Sequence, residues 1–137
     1  MLGQRPVFVY GTLRPGQPNW ERLLAGRSER VTAGRLPGVV LLDCGHYPAA
    51  VERPGGGVAV GEVVWIRPEA WPAVLPALDH LEGYEPNARD PLFHRVVRAV
   101  ETAHETVDCW VYLAGRMRAE TTRPIVAGGD WLAHCWD

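Results

Sequence analysis

The 137-residue chain has one serine, Ser28, and three cysteines, Cys44, Cys109 and Cys135. The serine lies in Arg27-Ser28-Glu29-Arg30-Val31, which is no nucleophile elbow, so a Ser-His-Asp hydrolase is poorly supported. The cysteines are odd in number and widely spaced, and no Cys-x-x-Cys pair occurs. That argues against a zinc site and for reduced cysteines in the core. The five histidines, His46, His80, His94, His104 and His134, show no metal spacing of the His-x-x-x-His kind. Neither a P-loop nor a dinucleotide-type glycine loop is present. Basic charge is not in excess: 22% of residues are charged and the net charge is −2, so nothing points to nucleic acid or an anionic membrane. No apolar run approaches the roughly 20 residues of a membrane helix. Met1 is followed by Gly3, Gln4, Arg5 and Pro6, not by an apolar signal-peptide core. The expectation is a cytoplasmic protein with one domain over residues 1–137, and with no metal, nucleic-acid or membrane partner.

Against those shortages stand 15 glycines, 12 prolines and six tryptophans, which suit a loop-rich domain with short strands. Pro6 to Tyr10 reads as a nearly continuous apolar strand, as expected for one buried on both faces. Trp20, Leu23 and Leu24 mark a short helix, with Asn19 as its N-cap and Gly26 as its stop. Residues 30–44 read as strand, break, strand, with breaks at Gly34 and at Pro37-Gly38. A short strand over 48–53 is followed by a glycine turn and a strand over 57–66, in which Gly61 marks a bulge or a close backbone contact. Trp71, Val74, Leu75, Leu78 and Leu81 recur at helical spacing, with Gly83 as the stop. Pro76 is expected to kink that helix or divide it. Residues 86–91 read as a loop. Two strands follow, joined near Ala103-His104-Glu105, and the second places Val107, Cys109, Val111 and Leu113 on one face. An edge strand near Pro124 and a last helical turn complete the reading, with tryptophans near the C-terminus exposed for contact. The class is α+β, a small closed barrel with a few short helices.

Two stretches carry candidate chemistry. The first strand runs into Tyr10-Gly11-Thr12-Leu13. Either Gly11 merely turns the chain, or the N–H groups of Gly11, Thr12 and Leu13 form a concave site for a carboxylate. The second is Leu78-Asp79-His80-Leu81-Glu82-Gly83-Tyr84. Asp79 and Glu82 are neighbours on a helix surface, and Glu82 sits at the negative helix end, which raises its pKa modestly. The alternatives are a solvated helix end for Glu82 and, for Asp79, local pairing with Arg89 or Arg95.

Together these pieces resemble the gamma-glutamylcyclotransferase superfamily. Val7–Asn19 looks most like its gamma-glutamylamine cyclotransferase branch and related small bacterial proteins, and 34–51, 58–66, 78–84 and 108–115 match in the family's order. The resemblance implies a mixed barrel with a pocket at its mouth and no metal or organic cofactor. It implies cleavage of a small gamma-glutamyl substrate, an amine or a peptide, with release of 5-oxoproline and a free amine. It places the catalytic carboxylate on Glu82 and makes Asp79 structural. Substrate contacts fall to Tyr10, Gly11, Thr12 and Leu13. Phe93 stands where family members often carry a tyrosine, so Tyr84 or Tyr112 is expected to supply a hydroxyl instead. The competing reading is a non-catalytic carboxylate-binding module of the same fold. A metal-free hydrolase releasing glutamate is a third. Neither the leaving amine nor the oligomeric state is legible.

Overall fold

The computed structural model describes residues 5–84, 93–115 and 123–135. Among the described residues, seven strands and three α-helices follow in the order β1 (Val7–Val9), α1 (Pro18–Leu23), β2 (Ser28–Pro37), β3 (Val39–Asp43), β4 (Pro48–Glu52), β5 (Val58–Ile66), α2 (Trp71–Glu82), β6 (Phe93–Glu101), β7 (Thr106–Ala114) and α3 (Trp131–Cys135). Five strands close a barrel in the order β1-β5-β2-β6-β7. The seam between β1 and β7 is parallel, with Val7 opposite Trp110, and the other pairings are antiparallel. The remaining strands, β3 and β4, form a separate hairpin. The expected small mixed barrel with short helices is the fold. Among the described residues no helix is long and apolar enough to cross a membrane.

Period-two patterning explains how the barrel fills. In β1, Phe8 joins Leu36, Val63, Val100, Cys109 and Val111 in one core, while Val7 and Val9 face a second core with Leu24, Val74 and Leu78 of the helical side. Every residue of β1 is therefore buried, which is why that strand reads as an unbroken apolar run. The alternation read in β7 also holds: Cys109, Val111 and Leu113 enter the first core and Tyr112 the second.

Glycine roles differ from the expected ones at one place. Gly34 does not break β2, which runs unbroken through it opposite Gly61. A Cβ on Gly34 would lie 2.9 Å from Val100 Cγ1 and 3.0 Å from Val63 Cγ2, so the barrel interior has no room for one. Gly61 is a close backbone contact, since a Cβ there would lie 2.0 Å from the Val9 carbonyl oxygen.

Four local expectations are corrected. Asn19 is not the N-cap of α1. The helix starts two residues earlier than that cap implies, at Pro18, whose fixed φ suits a first position, with Gln17 as the cap. Pro76 does not divide α2, which continues from Trp71 to Glu82. The bond Pro76 forgoes is one among many, and Val74 and Leu78 remain buried on either side of it. Near Pro124 there is no edge strand among the described residues, only the isolated bridge of Ile125 to Leu42, because Pro124 has no N–H to donate. The final helical turn forms as expected, but Trp131 is buried in the barrel core instead of exposed. Trp136, Arg89 and the loop over 86–91 lie outside the described residues.

Candidate active site

The chain leaves β1 at Val9 and turns at once. The Arg14 N–H donates to the Gly11 carbonyl at 3.1 Å, closing a four-residue turn with Thr12 and Leu13 at its centre. Central residues of such a turn leave their N–H groups unused. Among the described residues, the N–H groups of Gly11, Thr12 and Leu13 donate to no protein acceptor. Gly11 has no positive φ, so turn handedness does not require a glycine. Close approach does: a Cβ would lie 2.7 Å from Pro48 Cδ and Cγ.

The turn is tied down from three sides. Arg14 is buried and grips Glu62 of β5 through Nε to Oε1 and Nη2 to Oε2, both at 2.9 Å. Its Nη1 donates to Asp130 Oδ1 at 2.8 Å, just before α3. Asn19 Nδ2 of α1 donates to Thr12 Oγ1 at 3.0 Å. Sequence reasoning gave no role to Arg14, Glu62 or Asp130, because the two acids lie 48 and 116 residues from the arginine they bind.

A cavity of about 340 Å³ opens beside this turn. Phe8, Val9, Tyr10, Gly11, Thr12 and Leu13 line one wall, and Leu81 and Glu82 of α2, Phe93 of β6 and Tyr112 of β7 line others. Asn19 and the hairpin residues His46, Tyr47 and Pro48 complete it. So Tyr10, Gly11, Thr12, Leu13, Glu82, Phe93 and Tyr112 share one cavity. Tyr84 is not in its lining. The left-handed turn at Gly83, φ 67°, ends α2, and the Tyr84 ring packs beneath the Arg95 guanidinium at 5.5 Å. The hairpin residues were missed because each is an ordinary turn residue, placed here by the pairing of β3 with β4.

Glu82 is the acid of this cavity. Burial pushes its carboxyl up from 4.5 to about 7. The cause is loss of water around the carboxyl. The Glu82 carboxyl makes no hydrogen bond or ion pair among the described residues. Asp79, one turn earlier, is engaged through one oxygen. Its Oδ1 accepts from Arg95 Nε at 2.9 Å and from Tyr112 Oη at 2.6 Å. Arg95, of the two arginines considered, is a partner.

The residues matched by the family model for gamma-glutamyl cyclotransferase, AIG2-like, run from 7 to 133. The chain belongs to this family. A candidate gamma-glutamylcyclotransferase of Halalkalibacterium halodurans is 32% identical over 93 residues, 67% of this chain and 77% of that protein. The gamma-glutamylaminecyclotransferase of Bos taurus is 34% identical over 114 residues, 78% of this chain and 64% of the bovine protein. Among solved structures, YkqA from Bacillus subtilis superposes with a TM-score of 0.69 at 24% identity. That match covers 95% of this chain but 40% of YkqA, and it bears on the fold alone.

Proposed function

We propose that this member of the gamma-glutamyl cyclotransferase family cleaves a gamma-glutamyl amine or gamma-glutamyl peptide, releasing 5-oxoproline and a free amine. The observation that carries this reading is the shared cavity. An acid with a pKa near 7 lines the same cavity as a turn whose three N–H groups have no acceptor among the described residues.

The chemistry needs little else. The substrate's α-carboxylate sits on the N–H groups of Gly11, Thr12 and Leu13. Its α-nitrogen attacks its own γ-carbonyl carbon. A bond forms between them, and the bond from that carbon to the leaving nitrogen breaks. One proton passes from the α-nitrogen to Glu82 and on to the leaving nitrogen. Holding the two ends together gives an effective concentration that removes up to several kcal/mol of barrier. Proton transfer by Glu82 contributes about 10²–10⁴-fold. A pKa near neutrality lets the same carboxyl take and return the proton. Phe8, Leu81 and Phe93 give the cavity apolar walls that keep water from competing.

The binding-module alternative is disfavoured by Glu82, because a carboxylate facing a carboxylate site weakens anion binding. Incubating the purified protein with gamma-glutamyl amines and peptides and assaying both 5-oxoproline and glutamate tests the reading. The expected product is 5-oxoproline, lost in Glu82→Gln while the variant still binds substrate. Glutamate instead would establish hydrolysis by water. Full activity in Glu82→Gln would remove Glu82 from the reaction.

A further inference from the structure

Three phenols, Tyr10, Tyr47 and Tyr112, line the cavity with Glu82, and two of them, Tyr10 and Tyr112, have their protons committed to acceptors other than Glu82. Tyr10 Oη donates to the Tyr112 carbonyl oxygen. Tyr112 Oη donates to Asp79 Oδ1 at 2.6 Å. Burial first, and the Glu82 charge among the further causes, hold both phenols above their ordinary pKa, so both keep their protons in the field of Glu82. A carboxylate beside hydroxyl donors normally collects their hydrogen bonds, and each bond makes it less basic. Here both protons point elsewhere.

The Tyr10 proton is fixed by a backbone carbonyl, but the Tyr112 proton depends on one side chain. Asp79 is itself held in place: Arg95 Nε bonds the same oxygen at 2.9 Å, and the Arg95 guanidinium lies 4.5 Å from the centre of the Trp110 ring. The titratable and charged groups around Glu82 come from every side of the cavity. They are Tyr10 just after β1, with Cys44 acting on it, and Tyr112 of β7. Asp79 of α2 joins them with Arg95 of β6, as do His46 and Tyr47 of the β3–β4 hairpin.

We propose that Asp79 is a positioning residue for Glu82: by accepting the Tyr112 hydroxyl proton it keeps that phenol from hydrogen-bonding the Glu82 carboxylate. Glu82 thereby stays basic enough to take a proton from an amine. The consequence for catalysis rests on the proposed cyclising reaction, whereas the hydrogen-bond arrangement does not. One helix turn accomplishes this, since positions 79 and 82 lie on the same helix face and Glu82 lines the cavity that Tyr112 also lines.

The test is a direct titration of the Glu82 carboxyl by carbon-13 NMR in protein labelled at glutamate side chains, with the resonance assigned by its loss in Glu82→Gln. In Asp79→Ala the phenol is released, and the Glu82 midpoint should fall by about one pH unit. Asp79→Asn keeps an acceptor oxygen for Tyr112 and removes only the charge, so its midpoint should stay close to wild type. An unmoved midpoint in Asp79→Ala overturns the proposal, and so does an equal fall in both variants, which would assign the effect to charge. Should Asp79→Ala not fold, Tyr112→Phe decides: an unmoved midpoint supports the proposal, and a rise means that Tyr112 had bonded Glu82 and overturns it. None of these readouts requires turnover. Absence of 5-oxoproline would sink the cyclising reaction and leave this arrangement standing, while an unmoved titration in an active enzyme would do the reverse.

Discussion

Arg14 closes over Glu62 as a two-bond fork, and its free arm reaches Asp130 across 116 residues of sequence. Arg14 follows directly on the turn at Gly11–Leu13, so this fork fixes the turn to β5 and to the base of α3. Removing one partner of such a part-buried pair leaves the other charge without its match, at a loss of about 3–5 kcal/mol. Arg14→Met is expected to lose stability at the lower end of that range, because Glu62 keeps some access to water. Urea unfolding measures it, and KM for a gamma-glutamyl amine should rise as the N–H groups lose their fixed geometry.

Glu82 makes the fold less stable at the pH where it would work. Its pKa is about 7 in the folded protein against 4.5 when unperturbed. Between those values the native state holds the proton more tightly than the unfolded chain, so stability falls as pH rises through that window. Above pH 7 the full loss applies, up to about 3 kcal/mol. Glu82→Gln should therefore be more stable than wild type at pH 8 and nearly equal to it at pH 4. Denaturation series at the two pH values check the sign, and equal stability at both would contradict the burial of this carboxyl.

Gly11 and Gly61 predict different outcomes for the same change. A methyl at Gly61 meets the Val9 carbonyl, a backbone atom that cannot yield without parting β1 from β5. Gly61→Ala should lose about 3 kcal/mol or more. A methyl at Gly11 meets only the Pro48 ring, which belongs to the separate hairpin and can shift. Gly11→Ala should lose about 1–2 kcal/mol, with the larger effect on KM as the cavity wall moves. Thermal unfolding together with steady-state kinetics separates the two.

The hairpin wall of the cavity is braced from the far end of the chain. His134 Nε2 lies 2.9 Å from Asp43 Oδ2, and Asp43 Oδ1 accepts from the Gly45 N–H at 2.8 Å. The His134 hydrogen bond, then that from Gly45, holds the Asp43 carboxyl below the usual range. Its stabilising contribution is present above the unperturbed value of 3.8 and is lost as pH falls through the lowered one. The pair is partly exposed, so His134→Ala should lose no more than about 1 kcal/mol. A rise in KM, through movement of His46 and Tyr47, is the more sensitive readout.

Much of the fold was legible because its signals are local. Val7–Val9 is apolar without interruption, β7 alternates, and α2 carries an apolar stripe that stops at Gly83; each follows from side-chain period and backbone sterics alone. The misreadings share a cause. Gly34 reads as a break because a sequence does not show that Val63 and Val100 crowd it from across the barrel. Asn19 reads as a cap because its partner, Thr12, lies outside the helix. Trp131 reads as a surface residue because nothing nearby in sequence reveals the core it enters.

The candidate site divides along the same line. Residue order is enough to mark the turn at Gly11–Leu13 and the acid at Glu82, since each is a compact motif whose parts are neighbours in the chain. Their meeting in one cavity depends on barrel closure, as do the burial that raises Glu82, the Arg14 fork and the commitment of the Tyr112 proton to Asp79. Those are contacts between atoms tens of residues apart, and their energies depend on distances and water exclusion that no local pattern encodes.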